Sequence, residues 1–423
     1  MNALYWILGL TLAVSLLVQF ILVAGFVHRL RREQSPLLAD DACPRAVVIL
    51  CLRGGDPFLS QCIDALMKQA YPAYEVRFIV DHPNDPAMTI LQIALRAFDS
   101  HALPQWRIEV LQAPYATCSL KCSSLLQAIE SLSESTVFIA QLDADTIPHR
   151  TWLRELATAL APEHVGAATG NRWYQPSHPS QGAMIRRTWN AAAIVQMYWY
   201  RIAWGGTLAI KLDSIRRAGL CERWQHAFCE DTMLMRQLAT IGQRVDFVPS
   251  LMMLNREDCS VESFVHWVQR QLMTARLYHP AWWAVLSHGV SSSLLLIVGW
   301  GIGIGLLFWG QWMPAAAIFI AMLAYQLALM AMLPWMERAI LAIIALRDDS
   351  IASSGRTSQI GSLWITYATQ TVYTWALIIS QFQRRVRWRG IDYRVSGPWS
   401  IEMLGYVPFQ ETSLGEASPE QSL

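Results

Sequence analysis

Charge is what this sequence has least of. Asp, Glu, Lys and Arg make up 15% of its 423 residues, and 33 basic groups nearly cancel 32 acidic ones. A soluble globular domain carries about 25% charged residues. The apolar composition argues against a disordered chain, and the missing basic excess argues against a nucleic-acid partner. Lysine is rarer still, with only Lys68, Lys121 and Lys211, so a lysine inside a motif is conspicuous. The eight cysteines stand singly apart from Cys118 and Cys122. No paired CxxC spacing suits zinc and no dense pattern suits a small disulfide-stapled secreted domain, so reduced thiols on the cytosolic side are expected.

Apolar residues fill the space that charge leaves. Hydrophobic types reach 53%, and there are 19 tryptophans, the residue that settles at membrane boundaries. Leu4–Phe26 is interrupted only by Thr11, Ser15 and Gln19; at ~1.5 Å per residue it extends roughly 30 Å, enough to cross a bilayer core. It is too long for a signal-peptide core, and the basic cluster His28, Arg29, Arg31 and Arg32 follows it. An uncleaved anchor with its N-terminus outside fits both facts. Val285–Trp309 and Met313–Leu333 are also long enough to span, whereas Gly361–Ser380 is weakened by Thr366, Thr369, Gln370, Thr371 and Thr374. Ala339–Leu346 is too short to cross and reads as an interfacial or re-entrant helix. Four crossings would put the C-terminus outside, yet Arg384, Arg385, Arg387 and Arg389 follow the last segment. Either that segment does not cross, or the Ala339 segment takes part in a crossing.

Between Pro44 and about Pro280 the pattern changes. Val47–Cys51, Glu75–Val80, Trp106–Leu111 and Val137–Leu142 read as strands, separated by helical stretches Leu59–Gln69, Pro86–Phe98 and Ser119–Glu130. Strands alternating with helices of this length predict βαβ units and a largely parallel sheet. Such sheets bind ligands outside the carboxyl ends of their strands, where Asp81 and Asp143-Ala144-Asp145 stand. Two carboxylates two residues apart repel unless a cation lies between them, and a hard ion such as Mg2+ or Mn2+ suits them; a solvated helix entry is the plainer alternative. Glu230-Asp231 precedes the helical stretch Thr232–Ile241, where an aspartate alone would read as an N-cap. Gly205-Gly206 follows the aromatic run Tyr198–Trp204, either a core segment or a pocket wall.

In this order the pieces resemble an inverting glycosyltransferase of family 2 with the GT-A nucleotide-sugar-binding fold, most closely its ceramide glucosyltransferase branch, family 21. Arg53-Gly54-Gly55-Asp56-Pro57, the run Tyr71–Ala87, Phe228-Cys229-Glu230-Asp231 and Trp388–Arg394 each resemble a segment of that branch. The resemblance implies that Asp81 contacts the nucleoside base, with Asp85 as a rival. It implies that Lys121 lies near the diphosphate, and that Asp143 and Asp145 hold Mn2+ or Mg2+. Asp231 would be the general base, Arg270 would take the leaving diphosphate, and Glu230 and Trp267 would face the acceptor. The family's Gln-x-x-Arg-Trp motif falls on Trp267–Gln271, where only Arg270 is kept. The missing tryptophan at 271 speaks against an acceptor sugar.

The expected organisation is an anchor over residues 1–32, a GT-A α/β domain over 44–256, an interfacial amphipathic segment over 257–284, a transmembrane region over 285–382 and a tail over 383–423. The expected protein is a multi-pass membrane enzyme, in a bacterial inner membrane, with its catalytic domain on the cytoplasmic side. It would move a hexose, glucose by preference, from a UDP-sugar to the hydroxyl of a membrane lipid such as ceramide. A processive polysaccharide synthase and a non-catalytic membrane scaffold are the alternatives.

Overall fold

The structure is a computed structural model that describes residues 2–32, 36–98, 104–176, 180–347 and 363–409. A long helix, α1 (Asn2–Arg31), leads into alternating elements: β1 (Ala46–Leu52), α2 (Leu59–Met67), β2 (Tyr74–Val80), α3 (Pro86–Ala94), β3 (Gln105–Val110), α4 (Leu120–Glu130) and β4 (Phe138–Leu142). These lie where the alternation of strand-like and helical runs predicts them. The strands are apolar on both faces because both are covered: β1 buries every residue but Cys51, as parallel strands between helix layers do. Asp85 starts α3 by accepting from the Ala87 N–H at 2.8 Å, with Pro86 in the first turn, a pairing that satisfies a free helix donor.

The sheet continues through α5 (Trp152–Leu160), β5 (Val165–Tyr174), α6 (Gln181–Tyr200), β6 (Thr207–Lys211), α7 (Leu212–Arg217), α8 (Leu220–Trp224), α9 (Leu234–Ala239) and β7 (Arg244–Asn255). Seven strands lie in the order β3-β2-β1-β4-β6-β5-β7. Only β6 runs against its neighbours; the other pairings are parallel. This is the α/β, GT-A architecture the motifs predict. Because β1, β2 and β4 are parallel, Arg53, Asp81 and Asp143 leave the same edge of the sheet.

Four more helices follow: α10 (Val261–Tyr278), α11 (Trp282–Phe308), α12 (Trp312–Ala345) and α13 (Leu363–Phe382). Among the described residues three helices are long and apolar enough to cross a membrane: α1 over Tyr5–Arg31, α11 and α12. Two expectations change. Ala339–Leu346 is no separate interfacial helix, because α12 runs through Pro334 and reaches Ala345 as one piece. The 257–284 segment is not one element either: α10 ends at Tyr278, and α11 begins at Trp282 after His279-Pro280-Ala281. Packed against α6 and α13, α10 buries Phe264, Val268 and Met273 completely.

The expected tail is also structured. Residues 385–404 form a three-stranded antiparallel sheet of β8 (Arg385–Trp388), β9 (Ile391–Gly397) and β10 (Ser400–Leu404). Arg389 and Gly390 connect β8 to β9 with φ of 50° and 75°, the two-residue hairpin geometry that glycine favours. The end of the predicted tail, residues 410–423, lies outside the described residues.

The helical layer is bolted to the sheet domain. Phe26, Val27 and Leu30 of α1 share a buried cluster with Met336, Ile340 and Ile344 of α12 and with Trp173 and Phe247 of the sheet. Arg187 of α6 pairs with Glu337, and Arg347 donates to Glu155 of α5 at 2.6 Å. Between helices, glycines set the spacing. A side chain on Gly299 would meet the Met322 sulfur at 2.4 Å, and one on Gly303 would meet the Phe319 ring at 2.3 Å, the close approach that small residues permit.

Candidate functional site

Where β1 and β4 end, a cavity of about 140 Å³ opens. Its walls come from the ends of these strands, from α4, from the Trp204–Gly205 turn, from Phe228–Asp231, from α10 and from the β8–β9 hairpin. Lys121, Asp143, Asp145, Glu230, Asp231, Trp267 and Arg270 all line it. Seven of the eight residues singled out in the sequence therefore meet in one place.

Asp143 and Asp145 project from the loop after β4, and Arg172 of β5 lies across both. Its guanidinium is 3.5 Å from Asp143 Oδ2 and 3.1 Å from Asp145 Oδ2. Asn255 donates a further bond to Asp145 Oδ2 at 3.1 Å. Asp145 Oδ1 is buried and has no hydrogen-bond partner among the described residues. A free, hard carboxylate oxygen next to a second carboxylate is what a divalent cation needs. Among the described residues no three His, Cys, Asp or Glu side chains converge on one point, so two carboxylates are what the chain itself offers. Burial would raise the Asp143 carboxyl, but Lys121 and Arg172 outweigh it and hold the group below its usual value.

The second half of the site hangs on Lys121, whose ammonium lies 3.0 Å from Asp143 and 2.8 Å from Glu230. Burial disfavours its charge, yet Asp143 and Glu230 raise its pKa well above that of an ordinary lysine. Beside it, Asp231 accepts from the Gly205 N–H at 2.8 Å and from the Thr232 N–H at 2.6 Å. Burial and the neighbouring Glu230 push the Asp231 carboxyl up to about 6, against the opposing pull of Lys121 and the two N–H groups. A carboxylate fixed at both oxygens and titrating near 6 is positioned and tuned to accept a proton at physiological pH.

Arg270 enters from α10 and makes no ion pair among the described residues. Its guanidinium lies over the Trp388 ring at 4.7 Å, and burial lowers its pKa to about 10. This leaves an unneutralised cation facing the cavity, the feature an incoming anion requires. Trp267, one turn earlier, stands edge-on to Trp189 at 5.5 Å and to Tyr174 at 6.2 Å.

Asp81 is placed differently. It is buried beside the cavity rather than on its wall, and its carboxylate is engaged by three groups. Arg53 pairs with it, the Tyr406 hydroxyl donates at 2.6 Å and the Phe409 N–H at 3.0 Å. Asp85 does other work: besides starting α3, both its oxygens accept from the Gly54 N–H at 3.0 Å.

Three participants lie outside every motif: Arg172, Tyr406 and Phe409; Arg389 lies in the Trp388–Arg394 run, which assigns it no role. Arg389 donates to the buried Asp56 carboxylate at 3.0 Å and lines the cavity with Trp388 and Tyr393. A lone arginine in the otherwise buried β5 was the available signal for Arg172, since charge is rarely buried without a partner. For Tyr406 and Phe409 no local pattern existed.

The family described as glycosyl transferase family 21 matches residues 10–399. The chain belongs to this family. As a family 21 member it is a glycosyltransferase. No curated protein matches it. Among solved structures it is similar to a mannosyltransferase from Pyrobaculum calidifontis in complex with GDP-Man and Mn2+, at 17% identity and a TM-score of 0.48, covering 89% of this chain and 99% of that one. It is also similar to glucosyl-3-phosphoglycerate synthase from Mycobacterium tuberculosis in complex with Mn2+, UDP and its product, at 11% identity and a TM-score of 0.39, covering 59% of this chain and 88% of that one.

Proposed function

We propose that this family 21 member is a membrane-bound inverting glycosyltransferase that moves a hexose, glucose by preference, from a UDP-sugar to the hydroxyl of a membrane lipid of the ceramide type. The observation that carries the reading is Asp231, held by two backbone N–H groups in the same cavity as the Asp143/Asp145 pair and the unpaired Arg270. In the reaction Asp231 removes the acceptor hydroxyl's proton as that oxygen attacks the anomeric carbon. The bond from that carbon to the diphosphate breaks on the opposite face, so one displacement inverts the centre and no enzyme nucleophile is required.

Arg270 and Lys121 receive the leaving diphosphate, Arg270 through a planar fork that matches two phosphate oxygens. Asp145 and Asp143 would hold Mn2+ or Mg2+, which would supply positive charge to offset the negative charge developing on the departing diphosphate. Asp81 is assigned to the nucleoside side and Glu230 and Trp267 to the acceptor side. The anchor α1, with Arg29 and Arg31 in its last turn and Arg32 directly after it, would keep the sheet domain on the cytoplasmic face of the membrane, with α11 and α12 returning to the bilayer.

The deciding experiment follows radiolabelled sugar from UDP-hexose into organic-extractable lipid. Wild type labels the lipid; an Asp231→Asn protein that labels it at the wild-type rate would sink the assignment. Treatment with EDTA should abolish transfer, and adding Mn2+ or Mg2+ should restore it. Retained activity in the chelated protein would remove the metal from the scheme. Arg270→Lys keeps a charge but loses the fork. Losing one charge-assisted bond of ~1.5–3 kcal/mol predicts transfer slowed about 10- to 100-fold, read from kcat/KM for the donor.

A further inference from the structure

A second cavity, of about 220 Å³, lies among α1, α6, α10, α11, α12 and α13. Most of its wall is apolar, contributed by residues such as Leu22, Leu329 and Leu333. Set into that wall are polar groups that apolar surroundings make costly. His288 is held between Gln19 and Gln196 at 2.7 and 2.9 Å. Gln326, near the middle of α12 and 2% exposed, presents an amide oxygen that has no hydrogen-bond partner among the described residues. An ionisable residue such as His288 within long apolar helices is a pointer to a ligand path. An orphaned acceptor also asks for a donor.

The two cavities stand back to back. Trp189 lines this one and Trp267 lines the catalytic one, and their rings meet edge-on at 5.5 Å. Helix α10 serves both, with Leu272 facing this cavity and Arg270 and Gln271 facing the other. One aromatic pair is thus shared by the walls of an apolar chamber among the long apolar helices and a charged chamber at the sheet edge.

We infer that the inner cavity is the binding site for the apolar part of the acceptor lipid, with Gln326 accepting a hydrogen bond from an O–H or N–H of that lipid other than the hydroxyl being glycosylated. This rests on the reading that the acceptor is a membrane lipid. It adds where the lipid sits and one chemical property it must have. Ester and ether groups only accept hydrogen bonds, so a glycerolipid whose single hydroxyl goes to Asp231 has nothing to give Gln326. A lipid with a second hydroxyl or an amide N–H does. His288 is already engaged on both ring nitrogens; of the two orphaned groups on this wall, Gln326 Oε1 and Thr366 Oγ1, the threonine hydroxyl can itself donate, so Gln326 is the group that requires a donor.

Two variants of the full chain in detergent test this with UDP-hexose as donor. The acceptors are an N-acyl amino-alcohol lipid and a diacylglycerol of matched chain length. Ala192 is exposed on α6 and lines the cavity, so Ala192→Trp fills the space without displacing buried neighbours. We expect it to raise KM at least tenfold for whichever of the two lipids is used. Gln326→Leu leaves the shape nearly unchanged and removes the orphaned oxygen. It should raise KM about tenfold for the N-acyl lipid and leave the diacylglycerol KM alone. In both variants the KM for UDP-hexose and the slow release of UDP in water should match wild type, which also verifies folding. Unchanged lipid KM in both variants, with a wild type that glycosylates either lipid, overturns the cavity assignment and leaves the lipid-acceptor reading standing. A wild type that releases UDP in water but transfers to neither lipid overturns both.

Discussion

Asp231→Asn should lower kcat about 10²- to 10⁴-fold, the contribution of a positioned general base, while the donor binds as before. Asparagine keeps the size and one acceptor oxygen, so it can hold one of the two N–H groups that bind Asp231, and it loses the ability to take a proton. The pH profile provides the sharper measurement. The base is the ionised form, and burial with the neighbouring Glu230 raises the Asp231 carboxyl to about 6. Wild-type kcat should therefore fall tenfold per pH unit below about 6 and lie flat above it. The Asn variant should show no such limb between pH 5 and 8. A profile in the variant with the same limb would mean that another group supplies it.

The second large effect is expected at Gly205→Ala. A β-carbon there would lie 2.1 Å from Glu230 Oε1 and 2.9 Å from the Lys121 ammonium, so the two cannot stay paired at 2.8 Å. Breaking a buried pair by removing its geometry costs about 3–5 kcal/mol. Thermal unfolding in detergent should show a clear loss of stability, and transfer should fall with it because Asp231 depends on the Gly205 N–H. Gly301→Ala is the control: nothing lies within 4 Å of a β-carbon on Gly301, so its melting and activity should match wild type. If Gly205→Ala melts like the control, the Lys121–Glu230 pair does not organise the site.

The residues most legible in the sequence were those whose role is local. Asp143, Asp145 and Asp81 follow apolar strands, and a parallel sheet brings strand ends together whatever the details of the loops. Asp231 and Arg270 were reached through motif order rather than through any pattern of their own. The alternation of strands and helices up to β4 could be read because parallel strands buried on both faces leave near-continuous apolar runs. What escaped depends on distant partners. Arg172 stands out in β5 only as a lone charge, and what it serves shows once Asp143 and Asp145 lie beside it. The β8–β10 sheet hides in a basic stretch because one of its faces rests on Phe228 and Tyr278, contacts that hydropathy over a window cannot anticipate. The single helix from Trp312 to Ala345 was split in two by Pro334, a residue that long apolar helices tolerate.

Arg53 and Arg389 are 336 residues apart, yet each donates to the other's carbonyl, at 2.8 and 3.3 Å. A ribosome working at ~5–20 residues per second needs roughly 20–70 s to pass from one to the other. In that interval it makes α11, α12 and α13 as well. The sheet domain can be folded early, but the side of the strand-end cavity built from Trp388, Arg389 and Tyr393 arrives only after those helices have left the ribosome. A nascent chain thus carries an open, unfinished cavity for most of its synthesis. Turnover can begin only after the helical layer is made.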